Sequence, residues 1–122
     1  MRVINKTKIH DDYILNIKFS NDKKYLASCS ADQTVKIFEI ENNGKISEKH
    51  TLYGHTQWVW DISILSSNKH LLSVSTDGSL KLWDIENGNL IKEFYNDSAL
   101  RKDNEKNFRK GYVAITFKDY YN

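Results

Sequence analysis

Apolar and polar residues alternate along this chain in short runs, and Asn, Asp, Ser and Gly interrupt the runs at regular intervals. Alternation of period two between turn residues predicts strands, near 13–19, 25–30, 34–40 and 46–53, and again near 58–64, 70–75, 79–85 and 90–95. Asn42-Asn43-Gly44 and Glu86-Asn87-Gly88-Asn89 are turn sequences, because Asn and Gly tolerate positive φ. Ser20-Asn21-Asp22-Lys23 and Ser66-Ser67-Asn68-Lys69 predict the two earlier turns, without a proline in either.

The two sets of four strands repeat each other at an offset of 45 residues. His10, Ser28, Ser30, Asp32, Lys36, Phe38 and Ile40 recur as His55, Ser73, Ser75, Asp77, Lys81, Trp83 and Ile85. Residues 10–44 and 55–89 share 11 identities in 35 positions. A period of this length built from short strands is the mark of a propeller-type repeat, in which each repeat is one small antiparallel sheet.

The second copy carries Gly54-His55 near its start, Trp58-Val59-Trp60-Asp61, a strand with Ser73 and Ser75, the turn Asp77-Gly78, and Trp83-Asp84 at its close. It resembles the WD repeat. The resemblance implies a polar chain within each blade, running from the turn Asp through the His to a strand Ser and on to the Trp. A buried carboxylate needs such pairing, and an imidazole ring offers one nitrogen to each neighbour. His55, Ser73 or Ser75, Asp77 and Trp83 are therefore assigned to holding the blade together. A Ser/His/Asp set also invites comparison with a hydrolase triad, but the same set recurs 45 residues away, and a nucleophile has no need of a duplicate.

In the first copy Ile9 stands in place of the Gly, and Phe38-Glu39 in place of Trp-Asp. Phe38 fills apolar space but donates no hydrogen bond, so the chain from Asp32 through His10 to Ser28 or Ser30 lacks its last member. This blade is expected to be the softer one.

The expected architecture is all-β: a WD-repeat β-propeller fragment with about two four-stranded antiparallel blades plus orphan strands at each end. Residues 1–9 are read as the outer strand of a preceding blade, 10–53 as a degraded repeat and 54–95 as a fuller one. Residues 96–110 form a charged insertion, and 111–122 hold the inner strand of a following or ring-closing blade. Propellers need roughly four to eight blades, so the chain reads as a C-terminal piece of something larger.

With 39% hydrophobic and 12% aromatic residues the composition is globular, and a net charge of +2 gives no argument for nucleic acid. Arg101, Lys102, Lys106, Arg109 and Lys110 in the insertion lack an aromatic stacking platform, so it reads as a solvated segment. The single cysteine, Cys29, falls on a predicted buried strand and has no disulfide partner in the chain. No apolar run approaches the roughly 20 residues of a membrane span, no signal peptide is visible, and a cytoplasmic setting is expected. His10, His50, His55 and His70 have no metal-ligand spacing, and the five glycines are scattered over turns rather than gathered in a phosphate loop. Neither metal nor cofactor is expected. Abundant Asn and Lys and an absence of Pro look like genome bias rather than function.

The stretch Leu26 to Ile37, the Trp58-Val59-Trp60 before Asp61 and the ending Lys110 to Asp119 together resemble the last blades of the small seven-bladed WD-repeat subunits of TOR kinase complexes. That resemblance implies a scaffold without chemistry of its own, which binds and stabilises a kinase catalytic region. The insertion at 96–110 is longer than that family usually has, and the N-terminal blades are missing. Partner-binding residues would sit where the loops before the inner strands emerge: Tyr13 and Leu15 in the first copy, Gln57, Trp58 and Trp60 in the second. Aromatic anchors at such a rim suit hot-spot binding. Trp60 is equally a candidate for packing between blades. The alternatives are an adaptor of another assembly, in ubiquitin ligation, RNA processing or G-protein-like signalling, and a truncated product without autonomous function. An enzyme is the weakest reading, since the repeat accounts for every polar triad. Two blades alone leave apolar faces and strand edges open, so the isolated chain is expected to self-associate.

Overall fold

The structure is a computed structural model, and it describes residues 6–95. Eight strands form two sheets in chain order. The first holds β1 (Ile14–Phe19), β2 (Tyr25–Ser30), β3 (Val35–Ile40) and β4 (Ile46–Leu52); the second holds β5 (Val59–Ile64), β6 (His70–Ser75), β7 (Ser79–Asp84) and β8 (Leu90–Tyr95). Every neighbouring pair is antiparallel, so each sheet is a simple meander. The two blades share their irregularities as well. Register shifts at Ile14/Asn16 and Ile37/Phe38 return at Val59/Asp61 and Leu82/Trp83.

The turns take the conformations that their residues permit. Gly44 and Gly88 have φ of 84° and 76° at the outer hairpins. The tight turn between the second and third strands needs positive φ in both blades, and Gly78 meets this at 87° without strain. Its counterpart is Gln33 at 79°, a side chain held in a region that costs about 1 kcal/mol or more for a residue with a Cβ. This strain adds a second physical reason to expect the first blade to be the softer.

The blades stack through unlike faces. Ala27, Cys29, Val35 and Ile37 of the first blade, all fully buried, pack against Ile62, Ile64, Leu71, Trp83 and Ile85 of the second. Fully burying a side chain of this size stabilises by roughly 1.5–3 kcal/mol, and this seam is the core among the described residues. Burial pushes the Cys29 thiol up to about 12, which makes it an inert core residue. Polar bonds frame the seam: Asn16 Nδ2 donates to Asp61 Oδ1 at 2.7 Å, the Asn21 N–H donates to Asn68 Oδ1 at 2.9 Å, and His50 Nε2 donates to the Glu86 carbonyl at 2.9 Å.

Of the segments predicted at the ends, residues 6–9 run without strand structure. The rest of the predicted strand at 1–9, the insertion at 96–110 and the strand at 111–122 lie outside the described residues.

Candidate functional site

The loop leading into β5 passes over the indole of Trp83 at Gly54, whose φ is 150°. A Cβ there would sit 3.4 Å from Trp83 Cη2. That loop delivers His55 into the blade, with Nδ1 2.9 Å from Asp77 Oδ2 and Nε2 2.7 Å from Ser73 Oγ. Trp83 Nε1 donates to the same Ser73 oxygen at 2.8 Å. A neutral imidazole carrying its proton on Nδ1 satisfies this chain throughout: indole N–H to serine oxygen, serine O–H to Nε2, and Nδ1–H to carboxylate.

The first blade repeats the geometry as far as its residues allow. His10 Nδ1 lies 2.8 Å from Asp32 Oδ2 and Nε2 lies 2.7 Å from Ser28 Oγ, and there the chain ends, since Phe38 has nothing to donate. Of the two serines open in each copy, Ser28 and Ser73 meet the histidines. Ser30 and Ser75 instead accept the backbone N–H of Asp32 and Asp77, at 3.0 and 3.1 Å.

One pair of residues in the network was not anticipated. Thr34 Oγ1 and Ser79 Oγ each donate to the turn carboxylate at 2.6 Å, and their backbone N–H groups donate to the same oxygens. The signal was present in the sequence, as a small hydroxyl residue two positions after the Asp in both copies. Burial disfavours the charge on Asp32, but hydrogen bonds from Thr34, His10 and the Asp11 N–H outweigh it and hold the pKa at about 2. For Asp77 burial again opposes, and donation from His55 and Ser79 carries the carboxyl well below the usual range.

The order of contacts matches a hydrolase triad, but the surroundings do not. Ser28 and Ser73 are completely buried, and Ser73 Oγ is further engaged by Trp83, so neither oxygen can reach a substrate. Among the described residues, no group of three or more His, Cys, Asp or Glu is placed to hold a metal ion. No helix among them is long and apolar enough to cross a membrane.

The accessible chemistry lies at the rim. Tyr13 and Trp58 stand immediately before β1 and β5, two inner strands that pack on each other, so both emerge at the same end of the seam. Tyr13 is 73% exposed and Trp58 40%. The Trp58 ring lies 5.4 Å from that of the half-buried Trp60, tilted by 48°. Gln57 is exposed beside them. Leu15, the counterpart of Trp60, is likewise half-buried and packs against the core, at a register shift, Ile14/Asn16, that recurs around Trp60 at Val59/Asp61. A further aromatic, Tyr53, is 75% exposed just before Gly54-His55, in a shallow hollow with His10, Asp32 and Lys36.

Four-stranded antiparallel blades, stacked face to face and each pinned by an Asp–His–Ser chain, define units of a β-propeller. The WD domain, G-beta repeat family matches residues 2–39 and 46–84, and the chain belongs to that family. It is 54% identical over 46 residues to a WD repeat-containing protein 26 homolog of Arabidopsis thaliana, covering 38% of this chain and 8% of that protein. It is 38% identical over 55 residues to the target of rapamycin complex subunit LST8 of Saccharomyces cerevisiae, covering 45% and 18%. The protein transport protein sec13 of Schizosaccharomyces pombe matches at 47% over 47 residues, covering 38% and 16%. The matched segment thus spans less than a fifth of each of these relatives.

Proposed function

We propose that the chain is a non-catalytic scaffold that binds other proteins at the blade rim, as part of a TOR-type kinase complex whose catalytic region it stabilises. The observation that carries the scaffold reading is the rim itself, where the contacting Trp58 and Trp60 and the exposed Tyr13 share one end of adjacent inner strands. Large rigid aromatics in such a setting offer desolvation at low entropic cost. The similarity to LST8, a target of rapamycin complex subunit, supports the choice of a TOR-type kinase complex as the assembly, and a cytoplasmic setting belongs to the same proposal. Similarity to Sec13 supports a second reading, an adaptor of another assembly.

Affinity capture with the tagged full chain from cells that express it, followed by mass spectrometry, tests both. A TOR-type kinase recovered with the wild type and lost with Trp58→Ala is the expected result. Recovery of a different assembly in a Trp58-dependent manner overturns the kinase reading and keeps the rim. Capture indifferent to Trp58 overturns the rim as well.

A further inference from the structure

Among the described residues, the seam inside this chain leaves one copy of each of its two faces partly exposed, although Phe38 on the one and Leu72 and Val74 on the other stay buried. Ile62 and Ile64, covered by the first blade, are 1% and 7% exposed; their counterparts 45 residues earlier, Ile17 and Phe19, are 50% and 51% exposed. On the opposite face Val35 and Ile37 are fully buried, while Leu80 and Leu82 at the same positions of the second blade are only half-buried. An interface between unlike faces is heterologous, and what it leaves open at one end fits what it leaves open at the other.

We propose that a second copy of this chain covers these faces head to tail, the Leu80 and Leu82 face of one copy seating on the Ile17 and Phe19 face of the next. The chain's own seam is the template, so the occupant meets each open face at the positions that the existing seam uses 45 residues away. Polar complementarity agrees. Within the chain Asn16 donates to Asp61 across the seam, and the new seam would bring Asp61 of one copy to Asn16 of the next. An amide again faces a carboxylate, where two carboxylates would repel. Propellers close at roughly four to eight blades, so copies that each contribute the two described blades close the ring at two, three or four copies.

The test uses native mass spectrometry on the full chain and two variants, Ile17→Lys and Leu82→Lys, with circular dichroism to verify that each keeps its strands. Leu80→Lys replaces Leu82→Lys if the latter loses them. The wild type is expected as a discrete assembly of two to four copies, and each variant alone as a monomer. Mixing the two variants should yield a 1:1 dimer, because each retains the face that the other lacks. A monomeric wild type, variants that assemble like the wild type, or a mixture that stays monomeric overturns the proposal. So does a wild type that associates only with a different WD-repeat chain. None of these readouts involves the rim aromatics, so the outcome is independent of the partner-binding reading.

Discussion

Asn16 and Asp61 are the same position of two repeats, and the Asn16 amide donates a 2.7 Å hydrogen bond to Asp61 Oδ1 across the seam between the blades. Each side chain is also fixed by its own backbone, Asn16 Oδ1 accepting from the Ile17 N–H and Asp61 Oδ1 from the Ile62 N–H, both at 2.8 Å. The repeat therefore uses one position twice with different chemistry, and the difference is what lets the blades meet. Asn16→Asp should set two carboxylates against each other and cost about 1–3 kcal/mol at neutral pH. Mutual repulsion raises the pKa of such a pair, so the folded state takes up a proton more readily than the unfolded one. The penalty should then shrink as pH falls through that raised value. Chemical denaturation of both proteins at pH 7 and pH 4 measures it.

The two departures of the first copy from the repeat pattern belong together. Gly54 passes within van der Waals distance of the Trp83 ring, whereas Ile9 and Phe38 line one hollow on the open face of the first blade. A larger residue at the glycine position goes with a smaller ring beneath it. Phe38→Trp alone should gain less than the pair of changes, because Ile9 lines the same hollow that the larger ring would enter. Combined with Ile9→Gly it should let the indole N–H donate to Ser28 and add about 1 kcal/mol. The favourable coupling in a double-mutant cycle is the measurement.

Acid should dismantle the blade networks in a defined window. The carboxyl of Asp32 is held at about 2 against an ordinary value of 3.8, and that of Asp77 is held lower still. Groups with a depressed folded pKa contribute fully above the unfolded value, and the contribution is lost as pH falls through the folded one. Stability should therefore be flat above about pH 5 and fall progressively below pH 4. Asp77→Ala should lower the melting temperature more than Asp32→Ala at pH 7, since Asp77 anchors the longer chain that reaches Trp83 in the seam. The gap between the two variants should narrow at pH 2, which a melting series across pH would record.

Much of this fold was legible beforehand because alternation, turn residues and duplication all pointed the same way. Strands expected near 25–30, 70–75 and 90–95 have those bounds, and the other five differ by one residue at an end. The choice between Ser28 and Ser30 was not legible, since residues two apart share one face of a strand and only distance to the imidazole separates them. The half-burial of Leu15 and Trp60 falls at the shifts Ile14/Asn16 and Val59/Asp61, which no period-two pattern registers. The strain at Gln33 required aligning it with Gly78 and then knowing the turn's φ. That apolar faces stay open was legible from the number of repeats, but exposure of Ile17 and Phe19 rather than Ile62 and Ile64 was not, because it depends on which face a neighbour covers.

Binding energy at the rim should concentrate in aromatics rather than in charge. Trp58 offers an indole that already rests against Trp60 and is still 40% exposed, so a partner that covers it gains apolar area at a smaller ordering cost. Truncating an anchor of this kind costs about 2 kcal/mol or more, whereas an exposed ion pair contributes about 1 kcal/mol at most. Trp58→Ala should therefore weaken binding of the proposed kinase partner by roughly thirtyfold, with unchanged circular dichroism. Tyr13→Ala should act in the same direction, and removal of residues 97–109 should have the smaller effect. Titration of the captured kinase against each variant gives the ranking. Normal binding by Trp58→Ala, together with loss of binding on the deletion, would move the contact surface from the rim to the charged insertion.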